Sequence, residues 1–213
     1  MKNTKTKAIV ILGLMTAVLL LFSFTPIGTI PIGPLSITLN IIPVAIAAIA
    51  LGPVGGLAMG SVFGLLSFLQ CIGIGVPSGM GAILFDINPF LAFVQRFVPR
   101  ALDGLLIGLL HQALTNKIGG KVSSFITGFC SAFLNTAFFM TSLVLLFGKT
   151  EYVQGLYEKF GQEQTLSGTF LFICAFVGFN AVVEMIVSTI VSGGVGTALY
   201  ASHILPLKKS NGA

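Results

Sequence analysis

Charge is what this chain has least of. Only 8% of its 213 residues are charged, and the acidic ones number six, whereas roughly a quarter of an ordinary soluble domain is charged. Tryptophan is absent, histidine occurs twice and cysteine three times. Cys71, Cys130 and Cys174 lie far apart inside apolar runs, with neither a CxxC pair nor a His-rich tract nearby. That excludes a disulfide framework and a zinc site and leaves them as small apolar residues. No GxxxxGK loop is present to hold ATP. Ser61 in MGSVFG lacks the preceding glycine of a nucleophile elbow, and no histidine lies at a matching depth. The expectation is a protein that is not an enzyme, with no catalytic residues, no metal and no cofactor of its own. The formal charge of +5 rests on a few residues beside apolar spans, which argues against nucleic acid and for a topology signal.

What fills the space left by charge is hydrocarbon: 55% of the residues are hydrophobic and the mean hydropathy is +1.02. Apolar runs near the length of about 20 residues that crosses a bilayer extend over Ala8–Phe24, Ile37–Leu51, Val54–Ile74, Phe90–Leu114, Val122–Phe147 and Thr169–Leu205. The last is long enough to tilt, or to break at Gly193-Gly194. No linker divides the chain, so residues 1–213 are expected to form a single all-α integral membrane domain of six transmembrane helices. Met1–Lys7 is basic and precedes an apolar run, as in a signal peptide, but no polar mature domain follows, and a retained first helix is expected.

Lys2, Lys5 and Lys7, Lys117 and Lys121, and Lys208 and Lys209 all fall on one side of a six-span bundle. Opposite them are Lys149 and Lys159, sharing their loop with Glu151, Glu158 and Glu163. The positive-inside rule then places both termini in the cytoplasm. The inner links, Gly52-Pro53 and Thr115–Lys121, are short. The outer ones, Thr25–Pro34, Gly75–Asn88 and Gly148–Ser167, are long and apolar, and are read as a lid over the external face. In the third, Val153, Leu156, Tyr157 and Phe160 recur at helical spacing and predict a short amphipathic helix.

Gly52, Gly56, Gly60 and Gly64 form one groove along the third span, where a second helix of the same chain can approach closely. Gly104 and Gly108 repeat the pattern on the fourth span. Gly13 and Ala17 repeat it on the first, where the partner lies either in this chain or outside it. Four ionisable residues lie within spans: Arg96, Arg100, Asp103 and Glu184. Each costs about 2.5 to 3.5 kcal/mol at mid-membrane and so faces protein or a wet cavity. Arg96, Arg100 and Asp103 share one face of the fourth span, with Arg100 and Asp103 placed to pair. Counted from the outer ends at 1.5 Å per residue, Arg96 is about 9 Å deep, Arg100 about 15 Å, Asp103 about 20 Å, Asn135 about 18 Å, Asn180 about 16 Å and Glu184 about 22 Å. The deeper acids can neutralise Arg100. Arg96, the shallowest charge, is then the best donor for a carboxylate or phosphate arriving from outside. Asn40, Asn135, Asn180 and Glu184 are further candidates for contact with a small polar molecule, although interhelical hydrogen bonds account for them equally well. His111 and His203 fall near inner ends and read as interfacial.

The basic N-terminus, the first span with Gly13 and Ala17, the run PIGPLSITLNIIPVAIAAIALGPVGGLAMGSVFGLLSF from Pro31 to Phe68 and the stretch NPFLAFVQRFVPRALDGLLIGLL together resemble substrate-binding S components of energy-coupling factor (ECF) vitamin transporters. IPIGP and LGPVGG look most like the pantothenate-type branch. The resemblance implies a bacterial cell-membrane subunit that captures a B vitamin or related small polar molecule from outside. It also implies association with a transmembrane coupling subunit, met in that family through small residues on the first helix, here Gly13 and Ala17, and with two cytosolic ATPases that hydrolyse ATP. The competing readings are a self-sufficient secondary transporter or channel for a small organic anion, against which no clear internal repeat is visible, and an intramembrane enzyme, against which the chemical residues are missing.

Overall fold

The computed structural model describes residues 2–32, 35–163 and 165–205. Lys208 and Lys209, part of the charge bias above, and Pro34, the end of the first outer loop, lie outside the described residues. In chain order the elements are α1 (Lys2–Phe24), β1 (Thr29–Ile32), β2 (Leu35–Thr38), α2 (Ile41–Leu69), a 3-10 turn (Gln70–Ile72), α3 (Gly79–Ile87), α4 (Pro89–Ile118), α5 (Gly120–Phe147), α6 (Glu151–Lys159) and α7 (Leu166–Ala201).

The outer surface differs from that of a water-soluble protein. Phe179 is 70% exposed, while Asp103, Gln95, Ser131 and Ser188 are fully enclosed. Large apolar side chains facing outward, around an interior that encloses polar groups within its apolar core, are the arrangement that lipid selects. Four stretches, Lys5–Phe24, Ile41–Ile72, Gly120–Phe147 and Ser167–Ala201, are long and apolar enough to cross a membrane. The protein is an all-α integral membrane protein. α4 matches them in length, at 30 residues, but carries Arg96, Arg100 and Asp103 along its middle.

α2 is not one rod. Gly52 has φ 70° and ψ −157°, a backbone state that favours glycine, and Pro53 follows it. A β-carbon on Gly56 would meet that of Ala48, and one on Gly55 would meet the carbonyl of Ala47. Residues eight apart in a continuous helix are separated by about 12 Å along its axis, so the chain reverses at Gly52. The first limb is buried from Ile41 to Ile49. The second packs antiparallel on α4: β-carbons on Gly56, Gly60 and Gly64 would strike the backbones of Gly104, Arg100 and Phe97 in turn, and one on Gly108 would strike Pro53. The glycine groove expected on the third span is therefore an internal seam, backbone against backbone.

α5 and α7 form a second antiparallel pair, with Gly120 against Tyr200, Gly196 against Ser124 and Gly128 against Ser188. α7 runs unbroken through Gly193-Gly194 for 36 residues, about 54 Å, well beyond the roughly 30 Å of a hydrocarbon core. The expected inner link at Thr115–Lys121 shrinks to Gly119, at φ 83°, because helix continues on both sides of it.

Two of the outer loops are more ordered than their composition suggested. Thr25–Pro34 leads into an antiparallel hairpin pairing Thr29 with Thr38 and Ile30 with Ile37, so Ile37 and Thr38 are strand rather than the start of a helix. Gly75–Asn88 contains α3, whose N-cap Ser78 accepts from Gly81 N at 3.1 Å. Asn88 ends α3 and caps α4, accepting from Leu91 N at 3.0 Å, with Pro89 at the first helical position. α6 falls where the amphipathic spacing placed it.

Candidate functional site

Between the hairpin, α2, α3, α4, α5, α6 and α7 lies a cavity of about 380 Å³. Arg96 and Arg100 enter it from α4, Asn135 and Phe139 from α5, Asn180 and Glu184 from α7. The structure thus brings four of the five sequence-predicted contact residues to one cavity. Asn40 is not among its lining residues. It is buried at the start of α2, where its backbone N–H donates to Thr38 Oγ1 at 3.3 Å and its side-chain oxygen has no partner.

The two guanidinium groups define the electrostatics. Arg96 is 6% exposed and Arg100 5%. Arg96 Nη2 donates to Ser78 Oγ at 3.2 Å, and Arg100 Nη1 donates to the carbonyl of Arg96 at 3.0 Å. Both groups lie 5.1 Å from the ring centre of Phe139, and Arg100 lies 4.8 Å from that of Phe63. Ring faces attract a cation but do not neutralise it. Among the described residues no carboxylate stands at ion-pair distance from either arginine, and Nε of each is buried without a partner. The expected pairing of Arg100 with Asp103 is not formed. Arg100 turns back onto its own helix, and both oxygens of Asp103 lack hydrogen-bond partners.

Glu184 is the carboxylate in the cavity wall, and its Oε1 accepts the Thr38 amide at 2.6 Å. That bond fastens the hairpin to α7 and supplies a partner for the N–H at the end of β2. What remains is a pocket with two cations, the amides of Asn135 and Asn180, and apolar patches from Met80, Ile83 and Val177. Asn135 Oδ1 is buried and unpartnered. Tyr152 completes the wall from α6; burial pushes its hydroxyl above the usual phenol range, with Arg96 partly opposing, so it stays a neutral donor. The arrangement suits a small solute with an anionic end and a hydrogen-bonding body.

Sequence reasoning passed over Ser78, Phe139, Tyr152 and Thr38. Two had a readable signal: Ser78 precedes a short helix as an N-cap residue, and Phe139 lies one helical turn from Asn135. His111, expected at the interface, is instead buried. Its Nδ1 is 2.9 Å from Thr127 Oγ1 and its Nε2 3.1 Å from the Tyr200 hydroxyl, partners that draw an imidazole inward. His203 is exposed. Gly13 and Ala17 lie on an exposed face of α1, and a β-carbon on Gly13 would meet nothing within 4 Å.

A half-open cavity with two guanidinium groups inside a lipid-facing bundle has the form of a small-solute site in a membrane protein. Residues 7–196 match the family model described as ECF transporter, substrate-specific component, and the chain belongs to that family. It is 36% identical over 110 residues to a protein named Pantothenate transporter PanT from Leuconostoc mesenteroides subsp. mesenteroides, a match covering 49% of this chain and 52% of that relative. The chain thus spans about half the length of the curated relative it matches.

Proposed function

We propose that this subunit captures pantothenate from the outside of a bacterial cell membrane and presents it for import. The observation that carries the reading is the pair of buried guanidinium groups, without carboxylate partners among the described residues, beside Asn135 and Asn180 in a cavity of about 380 Å³. Pantothenate offers a carboxylate for the cations and hydroxyl and amide groups for the asparagines, and the cavity falls in the range of about 300 to 1,000 Å³ usual for small ligands. The name of the relative matched over half its length supports the same choice of vitamin. Arg96 anchors the carboxylate through a planar pair of donors, with Asn135, Asn180 and Glu184 around it; Asn40 stands behind Thr38 as support.

Residues 1–213 act as one six-span domain, the two limbs of α2 counting separately; the first limb is about 16 Å of helix from Ile41 to the turn at Gly52 and needs the strand before it to complete a crossing. Both termini are cytoplasmic, and the hairpin, α3 and α6 form the external lid. The exposed Gly13–Ala17 face of α1 receives a transmembrane coupling subunit, and two cytosolic ATPases supply the energy, so this chain needs no cofactor.

Calorimetry on the purified chain, with mass spectrometry of any copurifying ligand, tests the substrate: saturable one-to-one binding of pantothenate is expected, and absence of binding refutes it. Liposomes test the mechanism. Uptake only with partner subunits and ATP is expected, whereas uptake by the chain alone identifies a secondary transporter. A cysteine at Gly155 of α6 should react with an impermeant reagent from outside only; reaction from the cytoplasm would invert the topology.

A further inference from the structure

α3 begins at the cavity wall. Ser78, Gly79 and Met80 all line the cavity together with Arg96. The first amides of a helix have no carbonyl one turn earlier to bond, and nine aligned peptide units concentrate partial positive charge at that end. Ser78 Oγ accepts from Gly81 N at 3.1 Å and from Arg96 Nη2 at 3.2 Å, which uses both lone pairs of that oxygen. Among the described residues the amides of Gly79 and Met80 donate no hydrogen bond. Arg96 sits directly against this turn: a β-carbon built on Gly81 would lie 3.0 Å from its Nη2. Arg96 is itself nine-tenths buried, and its Nε lacks a partner.

A helix N-terminus and a guanidinium repel one another, and among the described residues the groups between them are the neutral Ser78 hydroxyl and Cys71 thiol, with no carboxylate. An anion placed between them relieves both. We propose that the carboxylate of the substrate is held jointly by the Gly79 and Met80 amides of α3 and by Arg96 of α4, so that binding ties the outer segment containing α3 to the body of the bundle. This rests on the reading of the cavity as a carboxylate site and adds which donors complete it.

Gly79 allows a clean test because it occupies the first helical position, where proline is well accepted while removing the N–H. Ser78 before it is extended, at φ −101° and ψ 107°, as a residue preceding proline must be. A β-carbon at Gly79 would meet nothing within 4 Å. Gly79→Pro should weaken pantothenate binding to the full chain by about 10- to 100-fold, the range for loss of a hydrogen bond to a charged group. Gly79→Ala, which keeps the N–H, should stay within about threefold. The neutral analogue with an alcohol in place of the carboxylate should bind all three forms alike. Unchanged pantothenate affinity in Gly79→Pro overturns the proposal, as does an equal loss in Gly79→Ala or an equal loss for the alcohol.

Should Gly79→Pro not fold, amide hydrogen exchange on the unmodified chain decides. Pantothenate should slow exchange over residues 79–80 and the alcohol should not; equal effects of the two overturn the proposal. An unmodified chain that fails to bind pantothenate defeats the substrate reading and this one with it. Normal binding with Gly79→Pro unaffected defeats only this one.

Discussion

Arg96→Ala separates a binding arginine from a structural one, because the two roles move different observables. Among the described residues the polar partners of Arg96 are neutral side chains, Ser78 Oγ at 3.2 Å and the Cys71 thiol, beside a ring contact with Phe139. Among the described residues it has no carboxylate to leave stranded. Its removal should therefore cost the empty protein little stability, since an unpaired buried charge is itself unfavourable. Truncating one side of a desolvated guanidinium–carboxylate pair costs about 2 to 5 kcal/mol of binding, or a loss of roughly 30-fold at the least. Thermal unfolding in detergent reads both quantities. At a pantothenate concentration of 100 Kd, the unmodified protein gains about 2.7 kcal/mol from linkage. A variant bound about 30-fold more weakly gains only about 0.9 kcal/mol at the same concentration. Arg96→Lys should recover part of the difference, because an ammonium lacks the planar fork. If Arg96→Ala lowers the melting temperature of the empty protein while full ligand stabilisation persists, the arginine is structural and the anchor lies nearer Arg100 and Asn135.

Gly104→Ala would drive a β-carbon into the carbonyl of Gly56 and should destabilise the protein by about 1 to 3 kcal/mol in thermal melts; Gly13→Ala, in open space, should be neutral. Leucine at both Gly13 and Ala17 should weaken pull-down of the coupling subunit while leaving pantothenate affinity unchanged, and equal loss of both would place that face inside the bundle. Glu184→Ala removes the acceptor of the Thr38 amide and should cost about 1 to 3 kcal/mol, seen as faster exchange of that amide. Glu184→Gln keeps an acceptor and should restore protection.

The long apolar helices, four of them able to cross a membrane, were legible because hydropathy over about 20 residues integrates many weak preferences, and the seam because glycines four apart have one simple explanation. The hairpin was not: four-residue strands carrying Pro31 beside Gly33 and Pro34 give too little alternation to outweigh the reading of a stiff loop. α3 was hidden by its glycines, although Ser78 and Asn88-Pro89 marked its two ends. At the site, depth counting along α4, α5 and α7 gathered Arg96, Asn135, Asn180 and Glu184, since regular helices convert residue number into height. Counting fails off the helices, which is why Thr38 and Ser78 were missed and Asn40 was set among the ligand contacts. It also says nothing of rotamers. Arg100 turned toward the Arg96 carbonyl instead of Asp103, a choice that spacing alone leaves open.

Where Gly56, Gly60 and Gly64 meet α4, there are no side chains to change rotamer and no slack to take up. The wall that carries both arginines is thus held by direct backbone packing, with no rotamer change available at the seam to move it. The hairpin that covers the cavity, by contrast, is tied to α7 through the Thr38–Glu184 bond. The position of the two guanidinium groups is thus set by backbone packing, and that of the hairpin by a side-chain hydrogen bond to α7. Substitutions in the hairpin therefore leave the placement of the two cations unchanged.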